Sequence, residues 1–127
     1  MDDTPKFTGF PDACPLAGAE PAAGIVYRIT KNNPPNPSDF LSVHESGRIL
    51  RGANADAICM SHGLSVFREI SHAQHKRNLF PKLGQFIAWT ELSPTSGVAK
   101  ATGEPTHTTW WCYDGVVRHL GFVTLEE

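Results

Sequence analysis

The chain lacks any excess of basic residues: 11 Lys and Arg stand against 13 Asp and Glu, a net charge of −2 over 127 residues. Without a global positive field it cannot hold phosphate backbones or anionic lipid by charge alone, so non-specific nucleic-acid binding and membrane-surface binding are excluded as expectations. Long apolar runs are missing too, and the opening stretch MDDTPKFTGF carries acids where a secretory leader would carry a basic patch and an apolar core. Cysteines are few and odd in number (Cys14, Cys59, Cys112). A secreted disulfide framework normally has an even count, so the expectation is reduced thiols in a cytoplasmic protein, a leaderless secretion route leaving no mark in such features. No G-x-G-x-x-G, P-loop, H-E-x-x-H or G-x-S-x-G motif occurs, which leaves no signature for nucleotide-cradling loops, zincins or a nucleophile elbow.

What is present is ordinary globular material, with 40% hydrophobic and 19% charged residues. One domain of this size buries a core without metal or disulfide help. Residues 1–24 carry four prolines and no apolar period, so they read as an irregular arm tacked down by Phe7, Phe10 and Leu16. Residues 25–127 read as a single α+β domain: a small mixed or antiparallel β-core with two or three short helices.

Alternation makes Ile25–Thr30 the first strand, and KNNPPNP then breaks regular structure. Ser38 caps an expected helix to about Ser46, and Asn54 caps one or two turns ending near Gly63. Leu64–Phe67 is a short strand. Ser71-His72-Ala73-Gln74 has the S-x-x-Q form of a capping box, opening a helix that Pro81 stops. Phe86–Leu92, Val98–Thr102 and Thr106–Tyr113 are strands, and Asp114-Gly115 signals a hairpin from which Val116–Leu125 returns.

Cys59-x-x-His62 and His72-x-x-His75 resemble the arithmetic of a zinc site. The apolar LSVF segment between the pairs and the solvated look of the second favour surface histidines and a buried cysteine, so no metal is expected. A more distinctive set is three polar groups set inside apolar strands: Arg28, Ser65, and His107 with Thr108 and Thr109. A strand arginine can clamp phosphate bidentately, and hydroxyl and imidazole groups beside it orient a sugar. The bland alternative is an edge arginine in solvent with routine strand threonines. Buried polar groups without partners cost about 1–3 kcal/mol each, so one shared hydrated cleft is the more economical arrangement.

The ordered segments "VYRIT", "GLSVF" and "THTTWW" resemble the ADP-ribosyltransferase-like fold, and more particularly are similar to small bacterial type VI secretion toxins with a Tyr-Arg strand, a Gly-x-Ser-Val-Phe strand and a later His-x-Thr strand. The resemblance implies NAD or a nucleotide as substrate. It places Arg28 on phosphate or ribose, Ser65 and Thr109 on ribose and the nicotinamide end, Tyr27 against the nicotinamide, and His107 as the titratable catalytic group beside Arg28. The family's strand glutamate has no counterpart: Glu126-Glu127 are terminal, and Glu91 and Glu104 lack its context. A second reading takes the chain as a non-catalytic protein-binding or scaffold domain using an aromatic face of Trp110, Trp111 and Tyr113.

Overall fold

The computed structural model describes residues 6–103 and 105–127. Its centre is a seven-stranded antiparallel sheet in the order β1-β5-β6-β3-β2-β4-β7. The strands are β1 (Glu20–Pro21), β2 (Gly24–Thr30), β3 (Leu64–Phe67), β4 (Phe86–Leu92), β5 (Gly97–Gly103), β6 (His107–Cys112) and β7 (Val123–Thr124). Two α-helices accompany it, α1 (Ala55–Ser61) and α2 (Ile70–Leu79). The chain is thus a small α+β protein.

The strand period of two sorts the side chains onto two faces. One face carries Val26, Leu64, Val66, Ala88, Trp110 and Cys112, sealed by Phe40 and Phe122, whose rings lie 4.8 Å apart. On the other, Tyr27, Phe67 and Ile87 meet Ala73 of α2. Further along that second face Trp111 is fully buried, and its indole Nε1 donates to the Cys59 carbonyl of α1 at 2.9 Å. Trp110 and Trp111 are 1% and 0% exposed, so the aromatic face required by the binding-domain reading does not exist. Both sides of β6 are covered, and two adjacent strand residues necessarily point into two different layers. Tyr113 is half-buried against Phe7.

The sheet is nearly two sheets. β2 pairs with β4 along all seven of its residues, but with β3 only at Tyr27↔Phe67. Beyond that pair Arg28–Thr30 and Gly63–Ser65 splay apart. The opening between them is where the cleft described below forms.

Several expectations are corrected. Val116–Leu125 does not return as a hairpin partner, because both edges of β6 are already occupied by β3 and β5. Residues 118–121 form turns instead, and only β7 is extended, pairing with β4 at the far side of the sheet. The helix expected from Ser38 to Ser46 is a single 3₁₀ turn, Pro37–Phe40, capped by Asn36 in a reciprocal box with Asp39. It goes no further because the Asp39 carboxylate accepts from Lys31 N, Asn32 Nδ2 and Asn36 N, tying the turn back onto the proline-rich loop. Ser71 is not a cap: α2 begins at Ile70 after Glu69, and Gln74 donates to Glu127 instead.

The arm is not wholly irregular, since β1 adds an edge strand to β5. Nor are the thiols all reduced. Cys14 and Cys59 form a disulfide with Cα atoms 5.5 Å apart, pinning the arm to α1. Cys112 is the free cysteine, buried, and its thiol is pushed up to about 12 by burial. Among the described residues no helix is long and apolar enough to cross a membrane.

Candidate functional site

A cavity of about 360 Å³ opens where β2 and β3 part. Its walls come from the ends of those two strands, the 38–43 segment, Lys76 of α2, Leu83 and His107 of β6. Arg28, Ser65 and His107 all line it. Register puts Ser65, Phe67 and His107 on one face of the sheet and Arg28 on the other. They reach the same space only because the sheet is open between them.

Arg28 works as a clamp across the opening. Its Nη1 donates to the Ser65 carbonyl at 2.8 Å, and its Nε to the Asp39 carbonyl at 2.9 Å. The guanidinium also lies over the Phe40 ring, 5.4 Å from its centre. These two carbonyls are groups that an uninterrupted β2–β3 ladder or a longer helix would have satisfied with backbone donors. Burial pushes the Arg28 guanidinium down to about 10, with Cys112 and Asp39 acting in the opposite sense, so it remains charged at neutral pH. Donors not used by the two carbonyls are available to a ligand.

Around Ser65 the polar atoms form a chain. Ser65 Oγ lies 3.0 Å from His107 Nε2, and His107 Nδ1 lies 3.0 Å from Thr102 Oγ1. Thr102 Oγ1 in turn lies 2.7 Å from the buried Thr109 Oγ1. If Nδ1 carries the proton and donates to Thr102, Nε2 is left to accept from Ser65. Burial, and secondarily the nearby Lys76 ammonium, hold His107 below the ordinary imidazole value. The neutral ring, the form able to take a proton, therefore predominates at neutral pH.

The cavity is cationic although the whole chain is acidic. Arg28, Lys31 and Lys76 line it. Its one acid among the described lining residues is Asp39, whose carboxylate is spent on its own loop. Glu91 lies on exposed β4 surface away from this lining, and Glu104 lies outside the described residues.

Tyr27 is not brought to the cavity. It packs with Phe67, Ala73 and Ile87 under α2. Thr109 does not line it either, standing one hydrogen bond behind His107 through Thr102. Thr102, Lys76 and Lys31 are the residues that sequence reasoning missed. Thr102 stands on β5, the strand beside β6, and meets His107 where the register of the two strands shifts between Ala101 and Gly103. Lys76 lies on α2, and no pattern in the sequence links it to the strand residues it joins at the cavity.

The cysteine–histidine set does not assemble as a metal site. Cys59 is held in the disulfide, His62 stacks on His44 at 3.9 Å, and His72 Nδ1 meets Thr106 Oγ1 at 2.8 Å. Among the described residues no group of three or more His, Cys, Asp or Glu is gathered closely enough to hold an ion. Comparison with family models, curated proteins and solved structures finds no match to this chain.

Proposed function

We propose that the chain is a small ADP-ribosyltransferase-like protein, of the kind deployed as a bacterial toxin, acting on NAD or a nucleotide in the cleft between β2 and β3. The observation that carries this reading is the convergence of Arg28, Ser65 and His107 on one cationic cavity. Arg28, Lys31 and Lys76 supply the charge that phosphate groups need, and a guanidinium adds bidentate geometry. Ser65 offers a hydroxyl to a ribose, and His107 is the group positioned to move a proton near neutrality. Glycosidic cleavage of NAD builds positive charge on the ribose, which a carboxylate would stabilise. With Asp39 committed elsewhere, the reading rests on phosphate binding and on proton transfer by His107.

The Cys14–Cys59 bond favours an oxidising compartment over the cytoplasm, where thiols are kept reduced. That suits a protein exported from the cell that makes it.

Calorimetric titration with NAD, ADP-ribose and AMP tests the reading. The wild type should bind at least one of them, and Lys76→Ala should weaken binding about tenfold, which is about 1.4 kcal/mol. Arg28→Ala should weaken it further, and Arg28→Lys should restore it only in part, because lysine loses the fork. Melting curves of each variant separate lost ligand contacts from a lost clamp. Absence of heat with all three ligands in the folded wild type would refute the assignment.

A further inference from the structure

We infer that Ser65 is a nucleophile activated by His107, and that the cleft hydrolyses carboxylic esters whose leaving group carries a phosphate or carboxylate. This does not rest on the NAD reading; it rests on the geometry around Ser65. Three requirements of nucleophilic catalysis meet there: a hydroxyl within hydrogen-bond reach of a base, a third group orienting that base, and donors facing the reacting centre. Ser65 Oγ and His107 Nε2 are 3.0 Å apart, and Thr102 holds the other ring nitrogen at 3.0 Å. Ser65 is exposed toward the cavity, so an ester can reach it.

The third requirement follows from strand geometry. In an antiparallel strand the N–H and C=O of one residue point to the same edge. The Ser65 carbonyl meets Arg28 from the β2 side, so the Ser65 N–H faces the same opening, with the guanidinium beside it. A tetrahedral oxyanion formed at Ser65 would find both donors.

The steps balance without an outside oxidant or metal. Ser65 Oγ bonds to the ester carbonyl carbon as its proton passes to His107 Nε2. Collapse of the oxyanion breaks the ester C–O bond, and His107 returns the proton to the departing alkoxide. Water then attacks the acyl-serine and gives a proton to His107. A second collapse releases the acid as that proton passes to Ser65 Oγ. Lys31 and Lys76 hold the anionic leaving group, while Leu41, Val43 and Leu83 give the acyl chain an apolar wall.

Thr102 is a positioning residue. Its loss should slow the reaction and alter its pH profile by freeing the imidazole to turn, and Thr102→Ser should recover both.

The test is covalent labelling of the full chain with a fluorophosphonate probe, read by intact mass and peptide mapping. A single adduct on Ser65 is expected, absent in Ser65→Ala and at least about 100-fold slower in His107→Ala. Thr102→Val should slow labelling about tenfold, with Thr102→Ser near wild type. Inorganic phosphate should compete with labelling, and Lys76→Ala should blunt that competition. No adduct on folded wild type, or labelling of His107→Ala at the wild-type rate, would overturn the nucleophile. Labelling indifferent to phosphate in both wild type and Lys76→Ala would overturn the anionic-ester assignment.

Discussion

Reducing the Cys14–Cys59 bond should cost this protein a large part of its stability. The two cysteines are 45 positions apart, and Cys59 lies within α1, where its carbonyl accepts from the Trp111 indole. In the chain-entropy account, closing a loop of about 46 residues in the unfolded state is worth about 4 kcal/mol at 25 °C. For 127 residues the unfolding entropy is about 0.27 kcal/mol per kelvin. That loss therefore lowers the melting temperature by about 15 °C. The assay is thermal unfolding followed by circular dichroism, oxidised against reduced, alongside a Cys14→Ala/Cys59→Ala variant that cannot re-form the bond. Thiol titration of the oxidised, denatured protein should find one reactive thiol per chain, from Cys112. Equal melting temperatures in all three samples would refute the reasoning. So would three free thiols in protein never exposed to reductant, since then the bond is not part of the native molecule.

Three further outcomes follow from the same geometry. Trp111→Ala removes a fully buried indole and its bond to Cys59, and should destabilise by about 3–5 kcal/mol in urea unfolding. Gly63→Ala would drive a Cβ into Thr109 Cγ2; the forced shift should cost about 1–3 kcal/mol and slow Ser65 labelling through Thr102. The Glu127 carboxyl is held below its ordinary value by hydrogen bonds from Arg77 and Gln74, and Glu45 is held low by Arg118 and Ser42 against an opposing burial effect. Depressed carboxyls stabilise the fold above their unfolded pKa, and that contribution is lost as pH falls through the lower folded values. Melting temperature should therefore drop below about pH 4.5, with a smaller drop in Glu127→Gln.

Much of the local structure was legible because it depends on neighbours in the chain. Ile25–Thr30, Leu64–Phe67 and Phe86–Leu92 alternate or carry β-branched residues, and each is a strand within a residue of its expected bounds. Pro81 stops α2 as its ring chemistry requires. Arg28, Ser65 and His107 stood out as polar groups inside apolar segments, a property of the sequence itself. Their contact was not readable there. A serine–histidine pair made across β3 and β6 leaves no contiguous motif, and the absence of G-x-S-x-G says nothing about it.

Tertiary structure alone decided the remainder. Cysteine count favoured free thiols, yet the pairing of Cys14 with Cys59 depends on where the arm folds back. The Asp114-Gly115 turn carries the local chemistry of a hairpin, but a returning strand needs a free edge, and β6 has none once β3 and β5 flank it. The second reading placed Trp110 and Trp111 on an exposed aromatic face, and two covered faces buried both. The cleft itself belongs to this class. It exists because β2 and β3 hold one paired position and then diverge, so that an arginine from one face and a histidine from the other share a space. Alternation tells which side of a strand a residue occupies; only the pairing of distant segments tells where the sheet opens.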